Sequence, residues 1–277
     1  MHWRYYRQLR GKTGTKLMEQ DWDNLIILDA CRYDLFAECH SLPGELSKVV
    51  SAGSHTVEFF HSNFDDRKFP DTVYVTATPQ FKKEGMADRF THVEHVWRDG
   101  WDKDLRTIPP ETVAERTLEV VDRFPNKRVI AHFVQPHYPF VGKAGQKLEE
   151  TVQAKTGIEP DGRDDLSIWD QLEIGEIDEA TIWNAYRENL ELTIPVVRDL
   201  YEELVGKTVV TSDHGNSFGR WGIYGHPSQK FIDELVNVPW LELPVSERRE
   251  IISGKLSESK EDDSSVEERL RSLGYKT

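Results

Sequence analysis

Two apolar runs that each end on an acid constrain this chain more than any other feature. The first is Asn24-Leu25-Ile26-Ile27-Leu28-Asp29, and the second is Lys207-Thr208-Val209-Val210-Thr211-Ser212-Asp213-His214-Gly215. A run apolar at every position reads as a strand covered on both faces, the habit of parallel strands flanked by helices. Such strands carry sites at their carboxyl ends. Asp213 offers a hard oxygen and His214 a nitrogen, so side by side they make half of a metal shell. Gly215 is expected to let the backbone turn sharply just after them.

The remaining segments alternate in the same way. A helix is expected over residues 30–38, and a polar loop, Ser51-Ala52-Gly53-Ser54-His55-Thr56, leads into another helix starting at Thr56. Residues 71–76 and, more weakly, 91–96 read as strands. Pro109-Pro110-Glu111 opens a helix running to about Arg123, with proline in its first turn. Residues 128–134 form another strand, which feeds the loop Gln135-Pro136-His137-Tyr138-Pro139-Phe140. From Gly142 to Asp178 the composition turns polar, as in an insertion or lid with a short helix. Residues 178–204 have a helical period that Pro195 should kink or break, and residues 238–243 read as an edge strand. This succession predicts an α/β fold: a doubly wound, mainly parallel sheet with helices on both faces, spanning residues 1–252. Residues 253–277 are expected to be a charged, flexible tail ending in a short helix. Asp29, Thr56, His137, Asp213 and His214 all fall where strand tips should gather.

Composition narrows the partners. The 277 residues include 8 Trp, 9 Tyr and 12 Phe, enough for a sizeable core, and the net charge is −14. That charge argues against nucleic acid and against an anionic membrane face. An anionic substrate would need a local positive centre, which a bound cation supplies. Cys31 and Cys39 match neither a disulfide framework nor a Cys-x-x-Cys zinc site. Without a secretory leader or an 18-residue apolar run, no transmembrane segment is expected, and the default location is cytoplasmic, at most peripheral to a membrane.

Taken together, Leu28-Asp29-Ala30-Cys31-Arg32-Tyr33-Asp34, Gly53-Ser54-His55-Thr56, Gln135-Pro136-His137-Tyr138-Pro139-Phe140, Thr211-Ser212-Asp213-His214-Gly215 and Tyr224-Gly225-His226-Pro227 resemble the alkaline phosphatase superfamily. The resemblance is to its sulfatase-like and lipoteichoic-acid-synthase-like branch, and Leu270-Arg271-Ser272-Leu273-Gly274-Tyr275 looks like the end of such chains. It implies a hydrolase or phosphotransferase acting on phosphate or sulfate esters of a small molecule, glycan or lipid head group. By the same resemblance Asp29, Thr56, Asp213 and His214 are metal ligands, and Thr56 is also the nucleophile. His137 and His226 resemble substrate-contacting histidines; Arg32 stands near the site as a further candidate for contact with the ester. One divalent ion is implied (Mn²⁺, Mg²⁺ or Zn²⁺, with Ca²⁺ possible). A metal would activate a hydroxyl otherwise too weak to attack, and the helix starting at Thr56 would add N–H donors.

The sequence also departs from that pattern. Neither cysteine starts a Cys-x-Pro-x-Arg signature, so formylglycine sulfatase chemistry is not expected. The 178–204 helix lacks an Asp-x-x-x-His, so a second metal is not expected; His226 with Asp161, Asp164 or Asp165 is the place it would have to sit. A phosphomutase or nucleotide pyrophosphatase with two metals, and a degenerate member that only binds an anionic ligand, are the rival readings. Ser54 competes with Thr56 as nucleophile. His55 reads as a bystander, His132 as a core histidine, Cys31 as a packed small residue, and Arg32 with Asp34 as a structural pair.

Overall fold

The computed structural model describes residues 14–65, 67–156, 167–254 and 266–274. Among these, seven strands form one sheet in the order β2 (Glu45–Val50), β9 (Asn237–Glu242), β6 (Thr208–Ser212), β1 (Asn24–Asp29), β5 (Arg128–Pro136), β3 (Phe69–Thr76) and β4 (Phe90–His95). β1 pairs in parallel with β5 and β6, and β3 in parallel with β5 and β4. Only β9 runs against its neighbours, β6 and β2. β7 (Ser217–Phe218) and β8 (Tyr224–Gly225) form a separate antiparallel pair. The doubly wound, mainly parallel sheet expected from the apolar runs is the one observed.

Strand alternation explains why both faces are covered. Ile26 and Leu28 of β1 enter one hydrophobic cluster, while Leu25 and Ile27 enter the other. The first cluster is closed by α1 (Tyr33–Cys39), α3 (Pro110–Arg123), α4 (Lys143–Thr156), α5 (Ile168–Glu173), α6 (Glu179–Glu203) and α7 (Val266–Ser272). The second is closed by α2 (Thr56–Phe64), whose Phe59 packs edge-on against Phe64, Phe60 against Phe81 and Phe64 against Phe90. Leu148, Ile168, Trp169, Leu172 and Ile177 lie in the first cluster, so the described parts of the polar 142–178 segment share the main core.

Two local expectations change. α6 runs unbroken through Pro195, because that residue and Glu191, whose carbonyl loses its partner, both face solvent. β9 is an interior strand despite Pro239; the edge on that side is β2, a strand with no buried residue that carries Lys48.

Candidate active site

The two acid-tipped runs are neighbours in the sheet, so their ends meet. Asp29 closes β1, and the next residue, Ala30, takes a left-handed conformation (φ 57°). That turn aims the Ala30 N–H at Asp213 Oδ1, 3.0 Å away, while Tyr186 of α6 donates its hydroxyl to the Ala30 carbonyl. His214 N–H also donates to Asp213 Oδ1, at 2.8 Å. Asp213 Oδ2 is buried and accepts no hydrogen bond among the described residues; its neighbours are His214 Nε2 at 3.4 Å and His132 Nε2 at 4.0 Å. A buried carboxylate oxygen in that state is costly unless something positive sits beside it.

His214 faces the same space. Its Nδ1 lies 2.8 Å from the Gly215 carbonyl, which can only accept, so the proton is on Nδ1 and Nε2 presents a lone pair. Nε2 lies 3.0 Å from Thr56 Oγ1 and 3.5 Å from Asp29 Oδ1. Burial holds the imidazole down to about 3, helped by the nearby His55 ring and opposed by the Gly215 carbonyl. Gly215 is required for a reason other than a turn. Its φ is not left-handed, but a Cβ there would lie 2.1 Å from the Glu234 carbonyl oxygen.

Asp29, Asp213 and His214, all buried, bring ligand atoms within 4.8 Å of one another, and Thr56 Oγ1 joins them. Two carboxylates, an imidazole lone pair and a hydroxyl make a donor set that fits Mg²⁺, Mn²⁺ or Zn²⁺. The donorless Asp213 Oδ2 supports that fit from within the structure. Of the residues suggested for a second ion, Asp161, Asp164 and Asp165 lie outside the described residues.

The loop before α2 separates Thr56 from Ser54. Ser54 Oγ donates to Glu58 Oε2 at 2.9 Å and accepts from Lys230 N–H at 3.1 Å, while Glu58 Oε1 accepts from Gln229 N–H at 2.6 Å. Ser54 and Glu58 thus stitch this loop to the one after His226, and Thr56 alone turns its hydroxyl to His214. His55 is no bystander: it caps α2, its Nδ1 accepting from Val57 N–H at 3.2 Å, so that donor is already used within the helix. Its ring lies parallel to that of His214, 6.1 Å between centroids, and 5.3 Å from that of His226.

His137 and His226 meet directly, Nε2 to Nε2, at 2.8 Å. His137 Nδ1 donates to the Tyr138 carbonyl, which leaves its Nε2 as acceptor and puts the shared proton on His226 Nε2. Burial lowers both imidazoles, that of His137 to about 4, so the pair is neutral. Arg32 is not part of this gathering. Its guanidinium pairs bidentately with Asp34, lies 5.0 Å over the Trp183 ring and reaches the Asn216 carbonyl at 3.4 Å, which supports the structural-pair reading over contact with an ester.

Several supporting residues were invisible as motifs. Ser51 donates to the Asp213 carbonyl. Asn189, one turn beyond Tyr186 on α6, donates to the Pro136 and His137 carbonyls at 3.1 and 3.0 Å. His132 is a core histidine as expected, held to about 4 by burial, and Tyr74 hydroxyl 2.9 Å from its Nδ1 fixes its ring behind Asp213. No local pattern flags these side chains; the Ser-His-Thr sequence before α2 was the one available hint for His55.

No protein-family model and no curated protein matches this sequence. Among solved structures, the fold is similar to a putative sulfatase from Bacteroides thetaiotaomicron, with a TM-score of 0.51 at 12% identity over 82% of this chain and 65% of that one. The C-terminal periplasmic domain of phosphoethanolamine transferase EptC from Campylobacter jejuni aligns with a TM-score of 0.48 at 12% identity, over 79% of this chain and 77% of that one. The lipoteichoic acid synthase LtaP from Listeria monocytogenes gives 0.43 at 11% identity, over 87% and 71%. The fold is sulfatase-like, of the alkaline-phosphatase type. The cytoplasmic expectation is corrected here: structural neighbours include a periplasmic domain, and the expectation rested only on a missing leader and span. No described helix is long and apolar enough to cross a membrane, which does not decide a compartment.

Proposed function

We propose that the protein transfers or hydrolyses phosphate or sulfate esters through a covalent intermediate on Thr56. The observation that carries this reading is the meeting of Asp29, Thr56 Oγ1, Asp213 Oδ2 and His214 Nε2 in one buried space at the strand tips. The sulfatase-like fold agrees with it.

Asp29, Asp213, His214 and Thr56 would hold one divalent cation, which lowers the pKa of the threonine hydroxyl and offsets charge on the ester. The chain does the rest. The α2 start fixes Thr56 Oγ1 toward the ester centre; its hydroxyl proton is given up to water, and its bond to phosphorus or sulfur forms as the bond to the leaving oxygen breaks. His137 and His226 line the same space. An anionic ester beside this neutral pair favours its charged form, so the pair takes up a proton as substrate binds and, once the Nε2–Nε2 hydrogen bond opens, can pass one to the leaving oxygen. Water then releases the group from Thr56, or an acceptor hydroxyl takes it. Small anionic esters, glycans and lipid head groups remain within this class.

The test is turnover of nitrophenyl phosphate, bis-nitrophenyl phosphate and nitrophenyl sulfate. Thr56→Ala is expected to lose at least about 10³-fold in kcat, and chelation to do likewise, while Ser54→Ala retains turnover. Turnover by Thr56→Ala equal to that of the parent would remove Thr56 from the role.

A further inference from the structure

Tyr138, next in the chain to His137, belongs to a largely buried cluster that the ester chemistry above does not use. Arg106 Nη2 donates to the Tyr138 hydroxyl at 3.0 Å and pairs with Glu149 Oε1 of α4. The Tyr138 hydroxyl donates to that same Oε1 at 3.2 Å, and the guanidinium stands 5.8 Å from the centre of the phenol ring. Burial pushes the phenol up to about 12, so it stays protonated and keeps its donor.

Arg106 is presented by a loop closed on itself. Asp102 N–H donates to the Thr107 carbonyl at 2.9 Å, and Asp102 Oδ1 accepts from Asp104 and Leu105 N–H at 2.8 and 2.9 Å. Within it Arg106 takes a left-handed conformation (φ 54°), which residues other than glycine adopt sparingly and keep only where their surroundings over-determine it. Two residues on, the Ile108 carbonyl accepts from Gln135 Nε2 at 2.9 Å. The same loop therefore grips the 135–140 segment on both sides of His137, at Gln135 and at Tyr138.

What this grip controls is the place of a proton. His137 Nδ1 donates to the Tyr138 carbonyl, which leaves Nε2 to accept from His226. Asn189 holds the carbonyls on either side, those of His137 and Pro139, at 3.0 and 3.4 Å, while Tyr138 itself is held through its phenol. Were the Tyr138 carbonyl to turn away, Nδ1 would lose its acceptor. A proton moved to Nε2 would then oppose the His226 N–H across 2.8 Å. Resting on the roles proposed above for His137 and His226, we propose that Arg106 is a positioning residue: anchored by Glu149, it fixes Tyr138 so that His137 keeps its proton on Nδ1. The same link ties α4, near the start of the polar 142–178 segment, to the histidine pair.

Nitrogen–proton correlation spectra of the imidazoles test this on the full chain, metal-free and at neutral pH, with His137→Gln assigning the His137 signals. The parent is expected to show a single tautomer, protonated on Nδ1, at His137 and at His214, whose Nδ1 faces the Gly215 carbonyl. Tyr138→Phe and Arg106→Met should each bring the two His137 nitrogen shifts together, as its tautomers mix, and leave those of His214 in place. Arg106→Lys should restore the parent shifts, because one nitrogen, Nη2, makes both contacts. On nitrophenyl phosphate, Arg106→Met should lower kcat by about 10- to 100-fold with KM little changed, and Arg106→Lys should recover most of the loss. If the ester reading alone is wrong, turnover is missing in the parent while the His137 shifts still respond. His137 shifts unmoved in both Tyr138→Phe and Arg106→Met, shifts that move equally at His214, or a parent His137 protonated on Nε2 overturns the proposal.

Discussion

Asp213 divides its two oxygens between two tasks. Oδ1 accepts from two backbone N–H groups and holds the tips of β1 and β6 together, while Oδ2 faces the candidate metal space. Asp213→Asn keeps an oxygen for the first task and loses a ligand for the second. It is expected to fold normally and to bind metal far more weakly, whereas Asp213→Ala should also lose about 1–3 kcal/mol of stability through the abandoned donors. Urea unfolding of both variants, metal-free, separates the two roles; equal stability of Asn and Ala variants contradicts the division. Gly215→Ala should destabilise strongly, since its methyl would meet the Glu234 carbonyl. At this scale Asp29, Thr56, Asp213 and His214 were legible because each stands at a strand tip or helix start. His55 and Ser51 were not, because what their side chains reach is set by how the loop before α2 packs, whereas the Arg32–Asp34 pair, two residues apart, was legible.

α6 is the element that sets the site loops. Tyr186 and Asn189, three residues apart on one face, reach the turn after β1 and the loop after β5. Tyr186→Phe removes a donor to the Ala30 carbonyl and an acceptor 3.1 Å from Arg32 N–H. A loss of about 1–2 kcal/mol in denaturant unfolding is expected. Turnover should fall through misplacement of Asp29, with the change in kcat rather than KM; an unchanged kcat argues against that positioning. The sequence period identified α6 but not its continuity, since tolerance of Pro195 depends on which face meets solvent. Likewise Pro239 suggested an edge, but pairing is decided by which strand remains to cover β9, and that strand is β2.

At the scale of the molecule, burying neutral histidines makes the fold acid-sensitive. His132 and His137 are held to about 4 and His214 to about 3 by burial, and His226 is lowered too. In the unfolded chain each protonates near 6.5. Below that pH the unfolded state binds more protons than the native one, so the stability is present in full above about 6.5 and lost as pH falls toward about 4. Urea unfolding of metal-free protein at pH 7.5, 6.5 and 5.5 should show the decline, on the order of 1.4 kcal/mol per pH unit for each such histidine in the lower window. A flat profile would contradict neutral burial. Sheet class was legible because runs such as Leu25-Ile26-Ile27-Leu28 are apolar on both faces, whereas a compartment leaves no such mark on a core.

The most direct test of the candidate metal centre is a calorimetric titration of metal-free protein with Zn²⁺, Mg²⁺ and Mn²⁺. One ion per chain is expected for at least one metal, with Asp29→Asn and Asp213→Asn each weakening it by about 100-fold or more. Two ions per chain, no binding, or affinity untouched by both substitutions would contradict a single centre built on Asp29, Thr56, Asp213 and His214.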